Sequence, residues 1–490
     1  MKALIKDIKS DGSVFLKLNS MAEKIAIKQA FLFGALEGDL VKVKITNRKR
    51  YGISDGKVTE VIKRGSDYFT ARVEIKEELK FAILYPYQSK KIIINDSLNN
   101  LQDNDVIELR VTSWNDYFSP ARGEIIKLIN RASDFEADYN YITKKYKLFT
   151  KPQNNHKKRD FTKIFISQKK RRKDLSKLET FTIDPENAKD FDDAISITKK
   201  DDIYSLFVHI ADVSEFIKEG DSNDLAAQRK GNSYYFPEGT VHMLPKYIAT
   251  NLGSLLAQKE RLAITLKLQI NKTGNVLTYE FFESIIECKK NFSYEAVEKI
   301  IKGEINNSFQ KSLDMLNELC LILKRNRYKI GGIVLHSRDI KFKLDGYGNP
   351  IDIQIKRKLK SHYIIEEIML LANKTAASEL IKLGSPDYSF SIFRNHDIPS
   401  KKSENFINNL ARNFKICPLD EGTTLNYNKL SESLKKLNSE QEKYIISQLI
   451  LKRLKKARYQ VSNRGHFGTG FKHYTHFTSP IRRYSDLTVH

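Results

Sequence analysis

The sequence predicts a multidomain chain in which two small N-terminal β-barrels of the OB type precede one large α/β or α+β unit. Three observations lead there. The chain has 490 residues, enough for about three domains at ~150 residues each. Its first ~130 residues alternate apolar and polar side chains between turn residues, with hardly a helical period. After Phe181 the pattern turns to mixed strand and helix and keeps that character to the end.

The two barrels are read from an internal repeat. Asp39-Leu40-Val41-Lys42-Val43-Lys44-Ile45-Thr46 returns 66 positions later as Asp105-Val106-Ile107-Glu108-Leu109-Arg110-Val111-Thr112. Gly56-Lys57-Val58-Thr59-Glu60-Val61-Ile62 is echoed 67 positions later by Gly123-Glu124-Ile125-Ile126-Lys127-Leu128-Ile129. Two copies of one five-stranded barrel, residues 1–64 and 65–132, explain both echoes. Such barrels bind single strands in a basic, aromatic groove; alternatively the pair only supports the larger unit.

Residues 133–180 read as a basic linker. Lys144-Lys145, Lys157-Lys158-Arg159 and Lys169-Lys170-Arg171-Arg172-Lys173 make it dense in cations. A run of this kind is either solvated surface or a contact for phosphates. Beyond it, residues 203–213 and 262–270 read as strands. Residues 361–383 read as a helix with Ile365, Met369, Ala372, Ala376 and Leu380 on one face, and 440–457 reads the same way.

The formal net charge is +24, from 84 Lys+Arg against 60 Asp+Glu. Such an excess implies a polyanionic partner, because each phosphate met by Lys or Arg releases condensed counterions. No membrane partner is expected: no run of ~20 apolar residues could span a bilayer, and the start, MKALIKDIKSDG, lacks the apolar core of a signal peptide. Cys288, Cys320 and Cys417 are far apart, which excludes a disulfide scaffold and a cysteine zinc site and fits a reducing cytoplasm. With 40% apolar residues the chain can fill real cores, so wholesale disorder is excluded too.

The most informative stretch is Phe181-Thr182-Ile183-Asp184-Pro185-Glu186-Asn187-Ala188-Lys189-Asp190-Phe191-Asp192-Asp193. A strand-like lead enters a turn at Pro185 and Asn187, and four aspartates crowd into ten residues. Converging carboxylates repel unless a cation joins them, and hard oxygen ligands select Mg²⁺ or Mn²⁺. In a strongly basic protein that pattern suits phosphodiester hydrolysis. The competing readings are an exposed acidic turn or a Ca²⁺ loop; the Asp-x-Asp-x-Asp-Gly spacing is absent and the flanks are apolar, which favours the metal site.

Three weaker stretches accompany it. His209-Ile210-Ala211-Asp212-Val213 puts a His and an Asp on a short apolar strand, where each alone is more often structural. Asn232-Ser233-Tyr234-Tyr235-Phe236-Pro237 gathers aromatics beside Arg229 and Lys230, to stack on bases or simply to pack. Tyr474-Thr475-His476-Phe477-Thr478-Ser479-Pro480-Ile481-Arg482-Arg483-Tyr484 is rich in donors suited to phosphate.

Ile183-Asp184-Pro185-Glu186-Asn187-Ala188-Lys189-Asp190-Phe191-Asp192-Asp193 resembles the signature of the ribonuclease II/ribonuclease R family of 3′→5′ exoribonucleases. His209-Ile210-Ala211-Asp212-Val213 and Thr478-Ser479-Pro480-Ile481-Arg482-Arg483-Tyr484 look like further motifs of its catalytic RNB domain, so the resemblance covers residues 181–490. Gly465-His466-Phe467-Gly468 lies closer to the ribonuclease R branch, and the preceding barrels look like its two cold-shock-type domains. The resemblance implies a monomer that processively hydrolyses single-stranded and 3′-tailed structured RNA to nucleoside 5′-monophosphates, in cytoplasmic RNA degradation and quality control. It implies that Asp184, Asp190, Asp192 and Asp193 hold Mg²⁺ (or Mn²⁺) and the attacking water, with Asp192 and Asp193 in the chemical step. Arg482 would stabilise the developing phosphate charge. Tyr235 would stack on the last nucleotide, with Leu335, Glu367 and Arg483 as further RNA contacts.

The sequence departs from the family pattern in three places. Leu335 in Gly332-Ile333-Val334-Leu335 stands where the family usually has Phe. The last part of the RNB domain, another Glu near the active site and a C-terminal S1 barrel are expected beyond His490, so the RNB domain reads as incomplete. The first barrel lacks the paired aromatics of a strong cold-shock signature, with Phe15 the nearest candidate. A non-catalytic RNA-binding relative would have lost the aspartates, and all four are present. A DNA-directed exonuclease is the remaining rival, since no residue reads a 2′-hydroxyl unambiguously.

Overall fold

The computed structural model describes residues 1–6, 8, 13–17, 24–47, 53–77, 79–84, 91–95, 100–114, 120–134, 137–146, 148, 161–333, 335, 339–345, 350–356, 358–384, 391–414, 416, 427–437 and 439–490. Lys157, Lys158 and Arg159 of the cationic run, Val334 and Cys417 lie outside these residues. Contacts divide the chain into two compact units, residues 1–149 with 344–349 and residues 150–343 with 350–490.

The first unit holds two five-stranded sheets. Strands β1 (Lys2–Leu4), β2 (Val14–Lys17), β3 (Lys24–Ile27), β4 (Leu40–Asn47) and β5 (Ile53–Lys63) are ordered β1-β4-β5-β3-β2. Strands β6 (Tyr68–Lys76), β7 (Leu79–Leu84), β8 (Lys91–Ile94), β9 (Val106–Ser113) and β10 (Arg122–Asn130) close into a barrel, β10-β8-β7-β6-β9. The third and fifth strands run parallel in both sheets, β3 with β5 and β8 with β10, which is consistent with the expected OB-type barrels.

The repeat survives in the register. Val43 faces Val58 as Leu109 faces Ile125, and Ile45 faces Gly56 as Val111 faces Gly123. Both glycines sit where the strand leaves no room for a side chain: a Cβ at Gly56 would lie 2.6 Å from Ile25 Cγ2, and one at Gly123 would lie 2.5 Å from Leu109 Cδ1. The leading aspartates recur as buried latches. Asp39 accepts from Leu36 N (2.8 Å), Gly65 N (2.9 Å) and Arg64 Nη1 (2.6 Å). Asp105 accepts from Gln102 N (2.9 Å), Ala132 N (2.9 Å) and Arg131 Nη1 (2.8 Å). Each carboxylate is thus desolvated yet fully partnered, as burial requires.

The stretch expected as a linker is partly folded. Helix α1 (Ala137–Lys145) belongs to the first unit, where Arg72 of β6 pairs with Asp138 and lies over the Tyr141 ring at 5.3 Å. Helix α2 (Phe161–Lys169) and strand β11 (Lys173–Asp174) belong to the second unit. The side chain of Arg172, just before β11, is fully buried by ion pairs to Asp212 (2.6 Å) and Glu215 (2.9 Å), so this cation of the run is neither solvated nor open to phosphate.

The second unit is built on strands β12 (Thr180–Asp184), β13 (Asp193–Lys200) and β14 (Ile203–Ala211). After helix α3 (Ser222–Lys230) and the small hairpin β15 (Tyr234–Tyr235) and β16 (Thr240–Val241) come the long strands β17 (Glu260–Asn271) and β18 (Val276–Ser293). Strand β18 pairs with β17 along its first part and runs parallel beside β12 at its end, so β12-β13-β14-β17-β18 form a ring. Helices α4 (Tyr294–Ile301) and α5 (Gln310–Lys329), the hairpin β19 (Asp339–Leu344) and β20 (Pro350–Lys356), and helix α6 (Lys360–Leu383) come next. Of the face expected on α6, Ile365, Ala372 and Ala376 are in the core and Met369 packs at its edge; Ile364, Ile368 and Leu371 widen that face and join Leu313, Leu316 and Leu319 of α5 against the ring. Strand β21 (Phe393–Asn395), helices α7 (Lys401–Asn413), α8 (Tyr427–Lys436) and α9 (Glu440–Leu451), strand β22 (Arg458–Gln460) and helix α10 (Tyr484–Val489) complete the unit. The helix expected over 440–457 ends at Leu451, where its buried positions give out and a basic stretch begins.

One buried polar chain crosses the ring and uses one residue from each strand. Thr180 Oγ1 lies 2.7 Å from Ser196 Oγ, which lies 3.1 Å from His209 Nε2. His209 Nδ1 lies 2.8 Å from Thr265 Oγ1, which lies 2.6 Å from Ser284 Oγ. Burial pushes the His209 imidazole down to about 3, so it stays neutral and structural.

Candidate active site

The acidic turn joins β12 to β13 and is pinned from behind. Ser254 is fully buried; its hydroxyl donates to Lys189 O (2.8 Å) and accepts from Phe191 N (3.0 Å). Arg261 Nε donates in turn to Ser254 O at 2.9 Å. Next to Ser254, Gly253 packs so closely that a Cβ would sit 2.4 Å from Val213 Cγ1. The sequence reading missed Ser254; only a small hydroxyl residue after a glycine marks it.

The second half of the site comes from the far end of the chain. Ile481 N donates to Asp192 Oδ1 at 2.8 Å, and Arg482 Nε lies 3.3 Å from Asp192 Oδ2. Backbone contacts brace this meeting: Ser233 N donates to Arg482 O (2.9 Å) and Tyr484 N to Gly231 O (2.9 Å). The same contacts bring the Tyr234–Tyr235 hairpin alongside. Tyr235 donates its hydroxyl hydrogen bond to Asp190, while the residue remains 53% exposed.

Four carboxylates here meet Arg482, with Arg483 acting on Asp193 as well, and the excess of negative charge shows. Asp192 Oδ2 and Asp184 Oδ2 are buried and accept no hydrogen bond. Burial pushes the Asp192 carboxyl up to about 8, with Arg482 opposing. Asp184 and Asp193 are both raised by burial first and then by their neighbours' negative charge. Buried, unpartnered anionic oxygens are costly and want a cation. The residues therefore fit the hard divalent ion expected of them. Among the described residues, the only three metal-ligating side chains whose ligand atoms lie within 4.8 Å of one another are Asp212, Glu215 and Glu283, so the aspartates of the turn are spaced more widely than that. That second cluster is filled by arginines, with Arg171 Nη2 3.0 Å from both Glu215 and Glu283 and Arg172 on Asp212. Asp212 of the His-Ile-Ala-Asp-Val motif is thus structural.

The structure gives three expected RNA contacts other partners. Arg483 Nη2 is held at 2.5 Å by buried Asp486, which also accepts from Ser479 N (2.9 Å). Glu367 is 2% exposed and gripped by Arg327, with Nε at 3.0 Å and Nη2 at 2.5 Å, because a carboxylate buried between α5 and α6 must be neutralised. Leu335 packs at the edge of a small helical core with Ile407, Ala411 and Ile446. No hydrogen bond, ion pair or ring contact among the described residues links Leu335 or Glu367 to the aspartates.

The family model for the RNB domain matches residues 172–490. Ribonuclease R of Aquifex aeolicus is 33% identical over 466 residues, which is 92% of this chain and 65% of that protein. The chain thus spans about two thirds of the length of that relative. The structure of Mycoplasma genitalium RNase R with ribose-methylated single-stranded RNA superposes with a TM-score of 0.84 at 24% identity, covering 100% of this chain and 78% of that one. Yeast Ssd1, a pseudonuclease, superposes at 0.67 with 17% identity over 100% of this chain and 68% of its own, so fold alone does not decide activity. On the RNB match and the identity to its relatives, the chain belongs to the RNB family, among the ribonuclease R proteins.

Proposed function

We propose that the chain carries the hydrolytic centre of a 3′→5′ exoribonuclease that shortens single-stranded and 3′-tailed structured RNA processively to nucleoside 5′-monophosphates. The observation that carries this reading is the pair of buried carboxylate oxygens that accept no hydrogen bond, one on Asp184 and one on Asp192 beside Arg482. Asp184, Asp190, Asp192 and Asp193 would hold Mg²⁺ or Mn²⁺. When bound, such an ion neutralises non-bridging phosphate oxygens and makes water a nucleophile near neutral pH.

The protein's own groups do the rest. Asp192, anchored by Ile481 N, keeps the Ser479–Arg483 loop against the acidic turn, so the Arg482 guanidinium stands where charge builds on the phosphate. Tyr235 offers its ring to the 3′-terminal base while its hydroxyl steadies Asp190. The finer organisation belongs to the same proposal: two cold-shock-type domains over 1–64 and 65–132, a basic segment over 133–180, an RNB domain from 181, and a cytoplasmic monomer.

Incubating the full-length protein with 3′-end-labelled, 3′-tailed RNA and Mg²⁺ tests it. The label should leave first, as a nucleoside 5′-monophosphate, and chelation or Asp192→Asn should abolish release. Internal fragments, or release that persists in Asp192→Asn, would overturn the reading.

A further inference from the structure

His476 lies six residues before Arg482, and the hydrolytic reading leaves it without a task. It is held unusually firmly for a residue at an open site. On one side Thr475 Oγ1 donates to Ile392 O (2.5 Å), and on the other Phe477 N donates to Asn373 Oδ1 (2.7 Å) of α6. The ring itself is fixed, with Nδ1 2.6 Å from the Tyr459 hydroxyl and the Tyr459 and Tyr474 rings meeting it edge-on at 5.6 Å. Tyr459 is held in turn by the β21–β22 ladder, where it pairs with Arg394, whose guanidinium lies over its ring at 4.5 Å.

The other edge of the imidazole is uncommitted. Nε2 has no hydrogen-bond partner among the described residues, and it is not among the fully buried orphaned atoms, so solvent reaches it. Burial first, and then the positive charge of Arg483, Arg394 and Arg482, keep the ring neutral. Arg482 already gives this corner a cation for phosphate. What cations cannot do is accept a hydrogen bond. A neutral imidazole edge can pair with a hydroxyl in either tautomer, donating when Tyr459 donates to Nδ1 and accepting when it does not. A 2′-hydroxyl, at once donor and acceptor, is its natural complement, whereas a phosphate oxygen suits only one tautomer.

We propose that His476, aimed by Tyr459, reads a ribose 2′-hydroxyl near the bond being cut and so sets preference for RNA over DNA. This rests on the hydrolytic reading above. Tyr459 is a positioning residue, since it acts through the imidazole.

The test is single-turnover shortening of an all-RNA oligomer by the full-length protein, against oligomers with one 2′-deoxynucleotide walked through the last few positions. Wild type should lose about tenfold in rate at one position, the scale of one hydrogen bond to a positioned group. His476→Phe should lose a similar factor on all-RNA yet show no further loss at that position. Tyr459→Phe, altered on a part-exposed ring, guards against a misfolded His476→Phe and should shrink the deoxy penalty while leaving the melting temperature unchanged. A full deoxy penalty in both variants would overturn the assignment, as would an active wild type indifferent to every deoxy position. A wild type that shortens no RNA at all would instead bring down the hydrolytic reading, and this inference with it.

Discussion

Tyr235 and Asp190 are joined by a hydrogen bond from the tyrosine hydroxyl to the carboxylate, across 45 residues of sequence. One side chain thus touches the acidic turn with its polar end and displays its ring outward. Burial of the hydroxyl end and the Asp190 carboxylate together raise the phenol, so it stays a donor.

The two ends of Tyr235 should separate on mutation. Tyr235→Phe keeps the stacking face and should leave end products at wild-type length. Tyr235→Ala removes a stacking contribution of about 1–3 kcal/mol and should leave longer remnants, because short RNA has few phosphate contacts to compensate. Neither should cost more than about 0.5 kcal/mol of stability, given the exposure of the residue. Product sizing with a parallel thermal melt checks both; equal lengths for wild type and Tyr235→Ala would reject stacking.

Asp192→Asn should separate chemistry from binding. Asparagine still accepts from Ile481 N, so the loop carrying Arg482 stays in place. Turnover should fall by about 10³-fold or more, while RNA affinity holds or improves with one negative charge fewer. Without metal the variant should differ little in stability, since the burial cost of the carboxylate and its attraction to Arg482 are lost together. Added Mg²⁺ should raise the melting temperature of wild type by ligand linkage and that of the variant much less. Equal metal shifts in both would count against this turn as the metal site.

Much of this was legible in the sequence, and for identifiable reasons. The barrels could be read because strand pairing keeps register, so the 66- and 67-residue echoes became matching ladders, with Gly56 and Gly123 at the same crowded positions. The acidic turn could be read because four carboxylates in ten residues have few stable fates. Glu367 and Arg483 could not, because pairing with Arg327 or Asp486 depends on which helix or loop lies opposite. Ser254 was hidden for the same reason: its partners are backbone groups 63 and 65 residues away.

The Arg327–Glu367 pair makes its own prediction. Its side chains are only 10% and 2% exposed, so removing one partner strands a buried charge. Arg327→Met should cost about 3–5 kcal/mol in chemical denaturation. Adding Glu367→Leu to it should recover most of that loss, since well-packed apolar groups replace a buried pair at little cost. If the doubly substituted protein also yields end products of wild-type length, Glu367 serves the α5–α6 contact and not the RNA.

The charge excess predicts how binding responds to salt. Many barrel cations are already spent on neighbours, as in Lys42–Glu60, Lys91–Glu74, Arg110–Glu124 and Lys127–Glu108, so the gross count of 84 Lys+Arg overstates what meets phosphate. The log–log slope of affinity for single-stranded RNA counts the phosphates engaged, at about −0.7 for each. If the barrels bind RNA, through exposed rings such as Phe15 and Tyr68 and the cations around them, deleting residues 1–149 should flatten the slope by several such steps. Mononucleotide release should persist, because the acidic turn, Arg482 and Tyr235 all lie in the other unit. Binding isotherms from about 50 to 200 mM salt measure the difference, the range over which such contacts weaken most visibly. A slope that the deletion leaves unchanged would assign RNA binding to residues 150–490 alone and leave the barrels a supporting role.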